Sequence, residues 1–408
     1  MFKVGAGLVP AVALSGSPAY AGAAPAMTVT GTVPTQLAAL DNVMKTYIKE
    51  RDISCAQLAA VKNGKLVLAR GYRYSSDTTI PAVQPTSPFR VASLSKSITA
   101  AAILRLAQDG KVSLGAKVAD LLGLPATVDP RLKNVTLWRL MQHTGGWDRE
   151  ISGDQLMADR TIAAKLGVPL PIGKNDIAEY AGGRPLDFAP GTKMAYSNYG
   201  YMLLGLVVAK VSGQSYESYV KQKLLAPAGI TRMRLGRSLK TQAAPGEVPY
   251  YSQYTTKTVL DDSGTVVPSQ YGGFNMLNHD ANGGWLASAV DLVRWARIFD
   301  AAGPVLNATS ITRAFAKPEI GVSADGSWYG CGWYVRQVTG HLNTWHSGAL
   351  PGTSSYMARL QQGFTYAAVF NRREESGTPD YDVLSSRMNT AWNGVTTWPA
   401  TDLFPKYF

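Results

Sequence analysis

The chain has 408 residues, 46% apolar and 17% charged, which excludes a disordered tract or a coiled coil and allows two domains or one large composite domain. Its 40 Lys and Arg against 28 Asp and Glu give a formal charge of +12, spread along the chain without a basic run. A nucleic-acid partner is therefore not expected, and an anionic cell envelope or an acidic substrate suits the charge better. No central stretch is long enough to span a membrane.

The opening "MFKVGAGLVPAVALSGSPAYAGAAPA" has an early lysine, an apolar run from Val4 to Leu14 and the small-residue pattern Ala19-Tyr20-Ala21. That pattern predicts a secretory signal peptide over 1–21 and a periplasmic or secreted protein. "PTQLAALDNVMKTYIKERDI" is an amphipathic helix. "CAQLAAVKNGKLVLARGYRY" alternates and pivots on Asn63-Gly64, a hairpin signal. An extended, proline-punctuated approach, "PTSPFRVA", then enters an apolar helix that closes at Asp109-Gly110.

From Ser93 to about Ile230 the pattern is helical, with breaks at glycine and proline. A long irregular stretch follows, 245–284, whose Tyr250, Tyr251, Tyr254 and Tyr271 suit either a pocket wall or core. "SAVDLVRWARIF" opens with Ser288 and Asp291 at capping-box spacing. From "WYGCGWYVRQV" to "TYAAVFNRR" period-two alternation returns, before a last helix near "DVLSSRMNTAW". Sheet, helices and sheet predict an α+β fold: an antiparallel sheet domain from 28–88 and 285–408, with a mostly helical region and long loop, 89–284, inserted.

Chemistry concentrates at Ser93 and Lys96. Steps of three and four from Ser93 give Lys96, Ser97, Ala100, Ile103, Leu104 and Ala107, so the lysine lies in a stripe that faces protein. The serine falls at the N-terminal end of its helix, where unpaired N–H groups favour developing negative charge. Ser218 and Lys221 share the Ser-x-x-Lys spacing but mark the wet side of an amphipathic helix. A serine nucleophile needs a base, and the elbow Gly-x-Ser-x-Gly is absent. Lys96 can serve if burial and nearby cations keep its amine neutral part of the time.

Two further elements are Tyr196-Ser197-Asn198, ahead of an apolar helix, and His346-Ser347-Gly348, on a strand with a glycine where another backbone must approach. His143 reads as a structural residue at a helix C-terminus. His143, His279, His341 and His346 lack paired metal spacing, and no metal or cofactor is expected. Cys55 and Cys331 read as small core residues, with a disulfide between them the alternative in an exported chain.

Together, in this order, the three elements resemble the serine β-lactamase and penicillin-binding-protein superfamily. The resemblance covers about 35 to 395 and takes in "HTGGW", "FAPGTKMAYSNYGYMLLG", "LAPAGI" and "YGCGW". It is strongest to the branch holding class C β-lactamases, family VIII carboxylesterases, DD-peptidases and D-aminopeptidases. It implies that Ser93 is the acylated nucleophile, Lys96 its proton acceptor and Tyr196 the relay to the leaving group and the deacylating water. Asn198 would hold substrate or Lys96, and the N–H groups of Ser93 and Ala349 would form the oxyanion hole. His346 departs from the lysine of the β-lactamase Lys-Thr-Gly motif; at the site rim, it would leave uncharged esters competitive. The expected activity is a carboxylesterase on small esters, with ester, amide or β-lactam substrates in range. A DD-peptidase, a D-amino-acid amidase, a class C-like β-lactamase and a non-catalytic penicillin binder are the alternatives.

Overall fold

The computed structural model describes residues 25–377 and 380–408, so the leader over 1–21 lies outside the described residues. The sheet is built from β1 (Ala26–Thr32), β2 (Cys55–Lys62), β3 (Lys65–Ser75), β4 (Ser327–Tyr329), β5 (Tyr334–Val338), β6 (His341–Leu350), β7 (Thr353–Leu360) and β8 (Phe364–Phe370). Its order is β1-β3-β2-β8-β7-β6-β5-β4, antiparallel throughout, so the two ends of the chain meet where β8 pairs with β2. Strand β1 is a finding the sequence did not yield, because Gly31 breaks a short run in an Ala/Gly-rich setting.

Both faces of the sheet are covered, which is why β8 is buried at every residue. Helices α1 (Ala38–Glu50), α2 (Ser95–Gln108), α3 (Asn198–Ser212), α4 (Ala289–Ala296) and α5 (Tyr381–Asn393) do most of this covering. One face packs against α1 and α5 through Leu40, Met44, Leu384 and Met388. The other packs against α4 and the helical region, where α2 and α3 form the centre of a second core.

Local signals resolve as elementary chemistry requires. Asn63 and Gly64 take φ of 48° and 79°, the left-handed pair that a tight hairpin needs. Ser288 and Asp291 form a capping box on α4. Lys221 pairs with Glu217 at 2.7 Å on an exposed surface, so the second Ser-x-x-Lys is a solvated helix face. Cys55 and Cys331 are both buried and free.

The chain reaches Ser93 through a short strand, Phe89–Arg90, paired with Trp285–Ala287. Ser93 lies in a 3-10 turn, Ala92–Leu94, and α2 proper begins two residues later than the serine. Ala92 has a φ of 47°, a left-handed conformation unusual for alanine and held here by its surroundings. The Thr353 hydroxyl donates to the Arg90 carbonyl at 3.0 Å and the Ser355 hydroxyl to the Val91 carbonyl at 2.7 Å. Strand β7 thereby pins the turn.

Tyr250 and Tyr271 belong to this support and not to a pocket. Both rings pack on the buried Arg90 guanidinium, and the Tyr250 hydroxyl accepts from the Arg90 N–H at 2.7 Å. Tyr251 is exposed and Tyr254 half-buried.

Gly348 on β6 is the close approach anticipated for this strand. A Cβ there would collide with the Val91 carbonyl and Ser355 Oγ and lie 3.1 Å from the Ser93 nitrogen. Gly348→Ala is therefore expected to cost about 1–3 kcal/mol by overpacking and to displace the serine turn. Urea unfolding and ester turnover on the same preparation check this; unchanged values for both would refute it.

Candidate active site

Lys96 is completely buried within α2, while Ser93, Tyr196 and Asn198 are each only half-buried. The Lys96 Nζ lies 3.1 Å from Ser93 Oγ, 2.7 Å from Asn198 Oδ1 and 2.8 Å from the Asn282 carbonyl. Burial drives its pKa well below the ordinary lysine value; Asp154 opposes the fall and Arg149 adds to it. The partner count agrees with a neutral amine. Two N–H groups meet two oxygens that can only accept, and the remaining lone pair faces a hydroxyl that can donate.

Asn198 owes its orientation to Asp154, whose Oδ2 accepts from the Asn198 Nδ2 at 2.5 Å. Asp154 in turn caps the turn at Gln155–Met157. His279, buried in the long loop, spans from Asn282 Oδ1 at 2.9 Å to the Leu156 carbonyl at 3.0 Å. It thus ties the segment carrying the Asn282 carbonyl to the segment carrying Asp154. None of Asp154, His279 and Asn282 stands out in the sequence, since each acts through a contact between distant loops and not through a spacing.

The Tyr196 ring centroid lies 4.7 Å from the Lys96 Nζ, with Ser93 close by. Burial raises its pKa, so the phenol stays protonated. His143 holds this tyrosine in place. Its Nδ1 accepts from the Ser197 N–H at 3.1 Å, its carbonyl accepts from the Ala195 N–H at 2.9 Å, and its ring lies 4.3 Å from that of Tyr196. Burial lowers its pKa well below the usual histidine value, so the ring that clamps the Tyr196 loop is neutral.

The placement of His346 at the rim is corrected. Its ring is 1% exposed, bonded through Nε2 to the Tyr329 hydroxyl at 2.9 Å and through Nδ1 to the Ser347 carbonyl at 2.6 Å. Burial, reinforced by Lys96, pushes its pKa down to about 3, so it is uncharged. Alternation along β6 puts His346 and Gly348 on the face toward Ser93, and the side chains of Ser347 and Ala349 on the other. Ser347 and Ala349 therefore offer the site only their main chain.

A cavity of about 610 Å³ between the Asn63-Gly64 turn and Arg294 and Arg297 shares no lining residue with this constellation. Among the described residues no group of three or more His, Cys, Asp or Glu is placed to hold a metal ion. Among them, too, no helix is long and apolar enough to cross a membrane.

The sequence model of the Beta-lactamase family matches residues 40–385. The chain belongs to the beta-lactamase family. This family member is 24% identical over 341 residues to Protein flp of Staphylococcus aureus (strain N315), covering 82% of its own length and 63% of that relative's. It therefore spans just under two thirds of the relative. A D-amino acid amidase from Ochrobactrum anthropi SV3, solved with L-phenylalanine amide, matches with TM-score 0.68 and 20% identity over 89% of this chain and all of that one. EstCE1, a hydrolase with promiscuous acyltransferase activity, matches with TM-score 0.68 and 18% identity over 88% of this chain and 99% of that one. At those identities the likeness establishes the fold of this beta-lactamase-family protein, a large antiparallel sheet flanked by helices, and no more.

Proposed function

We propose that the protein is a serine acyl hydrolase cleaving small esters through an acyl-enzyme on Ser93. The observation that supports this most is the Lys96 amine, both N–H groups engaged by Asn198 and the Asn282 carbonyl and its lone pair toward Ser93 Oγ. Lys96 accepts the serine proton as Oγ bonds to the substrate carbonyl carbon, and the Ser93 and Ala349 N–H groups hold the resulting oxyanion. Each such donor is typically worth about 2.7–4 kcal/mol in the transition state. Collapse breaks the ester C–O bond. Tyr196 gives its proton to the departing alkoxide and recovers one from the Lys96 ammonium. Water then attacks the acyl carbon, its proton passes through Tyr196 to Lys96, and Ser93 leaves by taking that proton from Lys96 as the acyl C–O bond breaks.

His346 is uncharged, so a cation for a substrate carboxylate does not come from β6 itself. Amide hydrolysis is the second reading, supported by the fold shared with the D-amino acid amidase. A 4-nitrophenyl ester, a chromogenic cephalosporin, a D-Ala-D-Ala peptide and D-phenylalanine amide, assayed side by side, test the choice. The ester should have the largest kcat/KM. Faster cleavage of any other substrate overturns the ester reading.

Asp154→Asn separates orientation from charge, since an asparagine oxygen can still receive the Asn198 Nδ2. The lost carboxylate had opposed the fall in the Lys96 pKa. Its removal lowers that pKa further, so the acid limb of kcat/KM should move to lower pH. A loss of about 10–100-fold in activity is also expected, as for other residues supporting a reactive group from behind. A limb that stays in place or moves to higher pH would contradict this coupling.

A further inference from the structure

We infer that Arg149 makes this site select substrates that carry a carboxylate. The inference rests on the Ser93 acyl-enzyme reading and adds the substrate class. Arg149 opens the short helix Arg149–Ser152, and its guanidinium carbon lies 5.1 Å from the centroid of the Tyr196 ring. The side chain is half-buried, so its fork remains within reach of a solute at the Ser93 mouth.

The surrounding charges do not cancel this cation. Its ion-pair partner Glu150 is the next residue, at 3.4 Å, and 53% exposed, where solvent and salt screen the pair. The nearby Asp154 carboxylate, bonded to the neutral Asn198 Nδ2 and Leu156 N–H, outweighs Arg149 at the buried Lys96, but at Tyr196, nearer the mouth, Arg149 is the stronger of the two. Across the site His346 is buried and neutral, so the positive field at the mouth comes from the helical wall. That field reaches the buried groups: Arg149 disfavours the protonated forms of Lys96 and His143 and opposes the rise of Tyr196 and Tyr334. A guanidinium presents parallel donors that match a carboxylate, with the Tyr196 ring beside it for the substrate's apolar part.

A purely structural arginine, stacked on Tyr196 to hold its loop, would affect charged and neutral substrates alike. The test therefore uses matched pairs. One carries the carboxylate on the acyl chain: 4-nitrophenyl hydrogen adipate against its methyl ester. The other carries it on the leaving group: 4-carboxyphenyl acetate against its methyl ester. All four meet the same Lys96, so the acid-to-neutral ratio of kcat/KM cancels any change in its protonation.

In Arg149→Gln the ratio should fall by about tenfold in at least one pair, the size of one charge-assisted hydrogen bond, and the pair affected tells which end of the substrate Arg149 meets. Arg149→Lys should keep most of the preference, and added salt should erode it in the wild type. A fall below about threefold in both pairs overturns the inference, since it is smaller than one such bond. If no ester is hydrolysed in a Ser93-dependent way, the acyl-enzyme reading fails, and the inference falls with it.

Discussion

Ser93→Ala should abolish ester turnover, by about 10⁴–10⁶-fold, because removal of a nucleophile leaves only binding and the oxyanion donors. The fold should survive. Ser93 is half-buried in a turn that is pinned by Thr353 and Ser355 and not by its own hydroxyl, so thermal unfolding should shift little. Ser218→Ala is the internal control. Its hydroxyl lies 2.9 Å from that of Ser215 on an exposed helix, and Lys221, the lysine at the same spacing, is paired with Glu217. Fluorophosphonate labelling followed by peptide mass measurement should mark Ser93 in the wild type and nothing in Ser93→Ala. Label elsewhere, or equal turnover in the two serine variants, removes Ser93 as the nucleophile.

Lys96→Arg should be about as damaging as Lys96→Ala, with losses of about 10²–10⁴-fold, the usual contribution of a positioned base. The guanidinium stays protonated and cannot accept the serine proton, and its larger fork does not fit a fully buried slot between Asn198 and the Asn282 carbonyl. Near-normal activity in the arginine variant would mean that Lys96 supplies only a fixed charge.

Stability carries a second signature of the same lysine. Its pKa is lowered on folding, so between the folded value and the ordinary 10.5 the unfolded chain binds the extra proton. Lys96 therefore makes stability rise with pH across that window, and fall as the pH drops toward the folded value. Lys96→Met should flatten that slope in urea unfolding measured at several pH values. An unchanged slope would show that the amine is protonated in the folded protein.

The elements legible in the sequence were those governed by short-range chemistry. Asn63-Gly64 had to turn because two left-handed residues are cheap there, and the Ser288 cap followed from spacing alone. The apolar stripe through Lys96 already said that the amine would be buried, since α2 keeps its period whatever packs against it. Gly348 announced a close approach through its lack of a side chain.

What the strand pattern left open was decided by packing across long separations. The same alternation that places His346 inward on β6 suits a rim or a core, and only the arrival of Tyr329 at 2.9 Å buries the ring and strips its charge. Tyr250 and Tyr271 became supports because Arg90, itself buried, needed acceptors and ring faces around it. Arg149 and Asp154, from the segment around the short helix Arg149–Ser152, and Asn282, from the long loop, meet the Ser93 cluster where no periodicity links their positions to it. A residue's own turn or strand fixes its face, but its charge state depends on which distant groups exclude water from it, and that is a property of the assembled fold.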